Sequence, residues 1–339
     1  MSEPERPQGE RGATRAGRPA AAPGGLSEEG VEREPERPPG GRGATRAGRP
    51  AAAPGGLSEE RVEREPERPQ GERVEPGAGA SPVPVRDAAT VVLLRDSAGG
   101  PEAFLLRRVR GMAFAAGMTV FPGGAVDPRD ADTAVGWVGP PVADWTAPFD
   151  ADEALARALL CAAVRETFEE SGVLLAGPTA DQVTATDGPN WEADRVGLER
   201  RDFSLAELLA RRGLQLRADL LRPWAHWITP PQESVRRRYD TRFFVAALPA
   251  GQRTRDVTSE ADVVEWVRPA DALDQLRRGE RPMMPPTIVT LEEIADYGSV
   301  ADVLAAGRSP ARIQPTVSTV DGRPAVTLPN GRVLRLAQP

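Results

Sequence analysis

Residues 165–173 read Arg165-Glu166-Thr167-Phe168-Glu169-Glu170-Ser171-Gly172-Val173, and this stretch is the part of the sequence that best indicates the fold and the function. Residues 151–171 contain neither Pro nor Gly, which predicts one helix that ends at Gly172 in a left-handed C′ position. At 100° per residue, the carboxylates of Glu166, Glu169 and Glu170 fall within an arc of about 100° on one helical face. Like charges at this spacing destabilise a helix, so the arrangement needs a cause outside the helix.

A divalent cation would supply that cause, because Mg²⁺ takes oxygen ligands and binds a few carboxylates together with substrate phosphates. Arg165 lies one turn before Glu169 and can position the carboxylates. Upstream, Phe121-Pro122-Gly123-Gly124 ends a predicted strand with glycines that allow close backbone approach. The alternative interpretation of the glutamates is a solvated acidic helix face.

The boundaries and buried face of this helix are also predicted from its sequence. Asp150 is the expected N-cap, and Glu153, three residues later, completes a capping-box pattern. Leu160, Val164 and Phe168 recur every four residues and predict the stripe that faces the core.

The remaining pattern predicts strands and helices that alternate without a regular βαβ rhythm. Residues 88–94 and 103–108 predict a β-hairpin, and residues 127–150 lack a clear period and predict a loop. Further strands are expected at 119–121, 224–229, 241–248 and 263–267, and further helices at 205–212 (capped by Ser204 with Glu207), 270–278, 285–297 and 300–306. We therefore expect an α/β (α+β) fold with a mixed sheet between helical layers.

The two ends of the chain differ from this central part. Residues 3–33 recur at 34–64 with three changes in 31 positions, and residues 1–82 contain no aromatic side chain. Such a segment buries too little apolar surface to fold, so a disordered tandem-repeat tail is predicted. At the other end, residues 316–336 alternate around Asp321-Gly322 and Asn330-Gly331, which predicts a β-hairpin appendage. The expected domains are 1–82, 83–307 and 308–339.

Composition excludes several classes of protein. The net charge is −7, which argues against a broadly nucleic-acid-coated surface, and the single cysteine, Cys161, excludes an internal disulfide framework. No apolar run reaches the roughly 18 residues of a membrane span, and the first five residues lack the basic start of a secretory signal. We expect a soluble cytoplasmic protein with no membrane or DNA partner.

Residues 121–124 and 165–173 together resemble the Nudix box of Nudix hydrolases, Gx₅Ex₇REUxEExGU, where U is aliphatic. Gly124 would be its first glycine, Asp130 stands where the first Glu is expected, and Thr167 replaces an aliphatic residue. The seven-residue spacer here runs over residues 131–164, so the box contains an insertion of about 27 residues (34 − 7). An interrupted box is similar to that of the branch that includes peroxisomal coenzyme A diphosphatases. The resemblance implies a Nudix-type α/β/α sandwich.

The resemblance also implies an activity and a set of site residues. Nudix enzymes cleave the diphosphate of a nucleoside diphosphate linked to another moiety X, usually with Mg²⁺ or Mn²⁺. By position, Glu166, Glu169, Glu170 and the backbone of Gly124 would bind the metal, and Glu166 would also help to activate water. Arg165 would orient the carboxylates, with Gly123 next to the substrate.

Three further expectations concern the base, the phosphates and the substrate. Glu260 precedes a predicted strand and is the candidate general base; a surface glutamate is the alternative. Arg237 and Arg238 could bind substrate phosphates or belong to a solvated turn. Arg107 partly matches a coenzyme A motif, which favours coenzyme A or acyl-coenzyme A and leaves nucleotide sugars, dinucleotides and capped RNA open.

Two other functions remain open from the sequence. The altered first half of the box would also suit a Nudix-fold module that senses a nucleotide without cleaving it. The repeat tail would suit a protein that acts mainly through interactions.

His226 and Cys161 are interpreted as packed residues, and Trp137 and Trp145 as anchors of the insertion rather than platforms for a nucleobase.

Overall fold

A mixed eight-stranded sheet organises the part of the chain that this computed structural model describes, residues 83–111, 115–231, 237–256 and 260–335. The disorder predicted for residues 1–82 lies outside the described residues. In chain order, the strands are β1 Val85–Ser97, β2 Gly100–Arg108, β3 Thr119–Val120, β4 Gly123–Ala125, β5 Trp137–Val138, β6 Ala176–Gly177, β7 Gln215–Arg217, β8 Arg222–Ile228, β9 Arg238–Ala247, β10 Ala261–Val267, β11 Arg312–Ile313, β12 Thr316–Val320, β13 Arg323–Thr327 and β14 Val333–Arg335.

The strand order of the large sheet is β10–β2–β1–β9–β8–β11, with β3 paired to β2 and β4 paired to β1. The strands β1 and β9 run parallel, as do β8 and β11, and the other pairs are antiparallel. The predicted mixed sheet and the predicted hairpin of β1 and β2 are therefore confirmed.

Helices cover both faces of this sheet. They are α1 Thr146–Phe149, α2 Glu153–Ser171, α3 Pro189–Glu199, α4 Leu205–Arg212, α5 Pro269–Arg277, α6 Pro285–Ala295 and α7 Val300–Leu304. Along β1, Val91 and Leu93 point to a core shared with α2 and α4, whereas Val92 and Leu94 point to a second core shared with α5, α6 and α7. Because side chains alternate along a strand, one buried strand supplies both cores and the α/β/α layering follows.

The segment predicted to be a loop, residues 127–150, is only partly irregular. It contains a 3₁₀ turn at Pro128–Ala131, the strand β5, a second 3₁₀ turn and α1. Trp145 and Phe149 are buried in the core around α2, and Phe149 contacts Phe244 of β9 with ring centroids 4.9 Å apart. Tertiary packing of these aromatic side chains orders a segment whose polar, Pro-rich composition shows no local period.

The start of α2 differs by two residues from the prediction. Asp152 is the N-cap and accepts a hydrogen bond from the Leu155 amide at 2.8 Å, whereas Asp150 adopts a left-handed conformation with φ 50° at the end of α1. The predicted Asp150 cap is therefore wrong, because α1 occupies that position. The predicted end is confirmed: Gly172 is left-handed with φ 74°. The predicted Ser204 and Glu207 capping box of α4 is also present.

Residues 316–335 form a separate three-stranded antiparallel sheet, β12–β13–β14. Asp321 and Gly322 both have positive φ in the first turn, as the hairpin dipeptide predicts. Val326, Leu328 and Leu334 of this sheet pack into the core shared with α6. Among the described helices, none is long and apolar enough to cross a membrane.

Candidate active site

The last two turns of α2 lie against the glycine strand β4. In the antiparallel register, Gly123 pairs with Thr90 and Gly124 with Ala89 of β1. A Cβ added at Gly123 would lie 2.5 Å from the Ala89 carbonyl oxygen, and a Cβ added at Gly124 would overlap the Glu166 carboxylate. Gly123 is therefore needed for the close approach of the two strands, whereas a side chain at Gly124 would displace the Glu166 carboxylate.

Arg165 joins the carboxylates to this strand. Its guanidinium is mostly buried and contacts Asp130 at 2.9 Å, Glu166 at 2.7 Å and Glu169 at 3.4 Å, and it donates to the Ala125 carbonyl at 3.0 Å. Burial by itself would lower the pKa of Arg165, but the neighbouring carboxylates raise it above its ordinary value. Arg165 thus contacts two of the three glutamates that it was predicted to orient, Glu166 and Glu169, and its orienting role stays a prediction.

Asp130 was not among the predicted site residues, although it follows Gly124 at the box spacing. Only 3% of Asp130 is exposed. Its carboxylate binds the Nε and Nη2 of Arg165 and accepts the Asp127 amide at 2.8 Å, as part of a capping box in the turn Pro128–Ala131. The Asp side chain is one methylene shorter than Glu, and the 3₁₀ turn brings it within reach of the arginine. The box spacing after Gly124 was the signal that could have identified Asp130.

The three glutamates converge on the glycine strand. Glu170 is nearly buried and accepts the Gly123 amide at 2.9 Å, while Glu166 lies over Gly124. Burial raises the pKa of Glu169 to about 8, with the charge of Glu166 as the next cause. Burial raises the pKa of Glu170 well above its ordinary value and raises that of Glu166 despite Arg165. The metal-free protein therefore favours the protonated forms of these carboxyl groups, chiefly because burial removes water from the charged forms.

This donor set fits a hard divalent cation. It consists of carboxylate oxygens, is largely buried, and has raised pKa values that a nearby positive charge would lower. Within the described ranges, no three acidic, thiol or imidazole side chains are already grouped at coordinating geometry. Glu166 is turned towards Arg165 and Glu170 towards the Gly123 amide, so cation binding would require these side chains to reorient.

The raised pKa of Glu169 predicts a pH effect on the metal-free protein. With a folded pKa of about 8 and an ordinary value of 4.5, the stability that the protonated side chain provides is present below pH 4.5. It is lost as the pH rises through 8. In thermal unfolding with a chelator, Glu169→Gln should therefore gain melting temperature relative to wild type between pH 5 and pH 8. A difference between the two proteins that stays constant with pH would contradict this.

Glu260 and Arg108 form an ion pair of 2.9 Å beside the carboxylates. The charge of Glu260 raises the pKa of both Glu166 and Glu170, and Arg108 lowers that of Glu170, so the pair lies within electrostatic reach of the glutamates. Alternation along β2 places Arg108 on the same face as Phe104 and Leu106, which is the face of α2. Arg108 was not predicted, and the strand alternation was the signal for it.

The three arginines predicted to bind substrate, Arg107, Arg237 and Arg238, are not grouped with the carboxylates. Arg107 alternates to the face opposite α2 and forms an ion pair of 2.7 Å with Asp262 of β10. Arg238 opens β9 opposite Val85 and donates to the carbonyls of Thr229 and Val83. Val85 precedes the glycine-paired Ala89 by four residues, roughly 13 Å along the strand. Arg237 is exposed. Their roles in substrate binding stay predictions.

The residues interpreted as packed are packed. His226 is 2% exposed and lies 2.5 Å from the Asp240 carboxylate through its Nε2. Burial raises the pKa of the Cys161 thiol to about 12, which leaves it protonated and unreactive at neutral pH. Trp145 is buried against Phe149, and Trp137 lies beneath the Arg157 guanidinium.

Comparisons with known proteins agree with this geometry. Residues 146–294 match the model of the NUDT19 Nudix domain. A crystal structure of a NUDIX hydrolase from Alicyclobacillus acidocaldarius is 31% identical, with a TM-score of 0.55, over 66% of this chain and 96% of that one.

Curated relatives from three animals carry the name "Acyl-coenzyme A diphosphatase NUDT19", and two of them are compared with the chain as follows. The protein from Homo sapiens is 28% identical over 245 residues, 61% of this chain and 64% of that protein. The protein from Gallus gallus is 26% identical over 266 residues, 64% of this chain and 70% of that protein. The chain thus spans about two thirds of the length of these relatives. Taken with the solved relative, the glycine strand and the carboxylates around Arg165, these matches show that the chain belongs to the Nudix hydrolase family.

Proposed function

We propose that the chain is a metal-dependent pyrophosphohydrolase that cleaves the diphosphate of a nucleoside diphosphate linked to a moiety X. The observation that carries the proposal is the group of three largely buried carboxylates beside the glycine strand, where Arg165 contacts Glu166 and Glu169 and the Gly123 amide donates to Glu170. Such an arrangement is costly for the free protein, since like charges are brought together out of water. Binding of a cation and of substrate phosphates would offset that cost.

Glu166, Glu169 and Glu170, with the backbone of Gly124, would hold the cation, which we propose to be Mg²⁺ or Mn²⁺. Nudix hydrolases generally use divalent metal ions. When bound, the cation lowers the pKa of water and offsets the charge that develops on the phosphoryl oxygens.

The protein side chains would supply orientation and proton transfer. Arg165 would keep Glu166 and Glu169 beside the glycine strand before substrate arrives, so that binding of the cation needs only a local reorientation of side chains. Glu260 is the proposed general base, and its position beside Glu166 and Glu170 supports this. Its carboxylate would accept a proton from the attacking water, with Arg108 stabilising the carboxylate beforehand.

Arg108 is also proposed to contact a substrate phosphate. Its Nη2 pairs with Glu260, and its Nε is buried without a hydrogen-bond partner among the described residues. We expect Arg108→Gln to raise KM by about tenfold, since a bond to a charged group contributes roughly 1.5–3 kcal/mol. Steady-state kinetics of Arg108→Gln and Arg107→Gln, measured side by side, compare the two faces of β2. A larger KM effect at Arg107 would contradict the assignment to Arg108.

For the moiety X, we propose coenzyme A or acyl-coenzyme A. The support is the name of the human and chicken relatives, acyl-coenzyme A diphosphatase. The test is a hydrolysis screen with Mg²⁺ or Mn²⁺ over coenzyme A, an acyl-coenzyme A, NADH, nucleotide sugars and diadenosine polyphosphates, with both products identified. If only another substrate of the screen is turned over, the chain is still a hydrolase, but coenzyme A and acyl-coenzyme A are refuted as its substrates.

The non-catalytic nucleotide sensor is the alternative function, and the same screen separates it because a sensor binds without turnover. Its support in the sequence was the altered first half of the box. The bond between Asp130 and Arg165 weakens that support, because the shorter acid still reaches the arginine. The compartment, the role of the tail and the separation of residues 308–339 as an appendage remain predictions.

A further inference from the structure

The C-terminal end of α2 is held by an arginine from a different helix. The last four carbonyls of any α-helix lack amide partners within the helix. Here the Glu169 carbonyl accepts a hydrogen bond of 2.8 Å from the Nη1 of Arg195, which belongs to α3. Only 3% of Arg195 is exposed. A residue proposed to bind metal through its side chain is therefore held through its main chain by Arg195.

The guanidinium of Arg195 is itself held in one orientation. Glu192 accepts its Nη2 at 2.7 Å and Glu199 accepts its Nη1 at 3.0 Å, both from the same helix. Glu192 also accepts the Nη1 of Arg255 at 3.1 Å. The backbone amide of Arg255 donates to the Ser171 carbonyl at 2.9 Å, so a second residue is bonded to the same helix end.

Gly172 leaves room for the Arg255 side chain beside this helix end. A Cβ built at Gly172 would lie 2.6 Å from the Nε of Arg255. Arg195 and Arg255 therefore bring two cations to the negative end of the α2 dipole, where cations are favoured. The side chains of Glu169 and Glu170 lie in the same last turn.

We propose that Arg195 is a positioning residue of the metal site: by holding the Glu169 carbonyl, it fixes the last turn of α2 and with it the backbone positions from which the Glu169 and Glu170 carboxylates reach the cation. The inference rests on the proposed function, because it needs those carboxylates to bind the cation. Partners of metal ligands set ligand direction, and their loss costs about 10–100-fold in metal affinity. This role of Arg195 makes α3, which lies outside the Nudix box, part of the metal site.

The test measures binding of Mn²⁺ alone to the full chain, with free Mn²⁺ followed by electron paramagnetic resonance. We expect Arg195→Gln to weaken Mn²⁺ binding about tenfold. Arg195→Lys, which retains a charge and a donor, should recover part of the loss. Arg211→Gln is the matched control, because Arg211 pairs instead with Asp194, the neighbour of Arg195 on α3. Its Mn²⁺ affinity should equal that of wild type.

A purely structural role would lower the melting temperature and leave the Mn²⁺ affinity of the folded protein unchanged. A folded Arg195→Gln protein with wild-type Mn²⁺ affinity therefore overturns the proposal. If that variant does not fold, Glu192→Gln tests the proposal instead. It removes the charge of the partly exposed Glu192, which holds the Arg195 guanidinium, and should weaken Mn²⁺ binding about two- to threefold. Unchanged affinity there overturns the proposal equally. Absence of Mn²⁺ binding by wild type would instead refute the metal site itself.

Discussion

Glu169→Gln is expected to lower metal-dependent turnover by about three orders of magnitude while the protein stays folded. The substitution removes one of three carboxylates proposed to bind the cation and keeps the shape of the side chain. If the cation contributes roughly 4 kcal/mol of transition-state stabilisation, its loss corresponds to that factor. The pKa of Glu169 is already raised to about 8 by burial and by Glu166, so a neutral side chain suits the metal-free fold. The measurement is kcat at saturating Mg²⁺ or Mn²⁺, with circular dichroism for the fold.

Glu153→Gln is the matched control for this prediction. It makes the same chemical change in the same helix, at an exposed position 16 residues (169 − 153) earlier and therefore about 24 Å away along the axis. We expect wild-type turnover and at most a few tenths of a kcal/mol lost from the helix N-terminus. Equal turnover of Glu169→Gln and Glu153→Gln would refute the metal role of Glu169.

Asp130→Ala is expected to reduce both stability and turnover. Removing Asp130 leaves the mostly buried guanidinium of Arg165 without its bidentate partner, and breaking a buried ion pair in this way costs about 3 kcal/mol. Arg165 would then be free to shift towards Glu166 and Glu169, and turnover should fall on the order of 100-fold. Chemical denaturation measures the first effect, and steady-state kinetics with metal titration measures the second.

Two further variants isolate the cause. Asp130→Glu introduces the residue that the family motif has at this position, so it should keep the bond to Arg165 and retain turnover within about tenfold of wild type. Asp132→Ala changes an exposed aspartate two residues along and should cost no more than about 0.5 kcal/mol. Full activity of Asp130→Ala would show that Arg165 needs no partner from the first half of the box.

Capping residues in the sequence correctly predicted those helix ends that depend only on residues within one turn. Gly172 ends α2 because a left-handed residue closes the helix, and Ser204 with Glu207 begins α4 because both caps lie within one turn. The same kind of signal failed at Asp150, where α1 takes the residue as its own C-terminus. The helix α3 was missed because its Gly188 start carries no side-chain cap.

The sequence by itself determined the family, from the spacing of three glutamates and Arg165 in one helix and from one glycine turn. It also predicted the mixed sheet from the alternation of strands and helices, and the α/β/α layers from the family resemblance. Only the tertiary structure shows which contacts Asp130, Arg108 and Arg195 make beside those glutamates. Asp130 lies 35 residues before Arg165 in the chain, and Arg195 lies 26 residues after Glu169. The physical reason is that a charge interaction depends on distance in space and on burial, and neither can be read from positions separated by an insertion or carried on another helix.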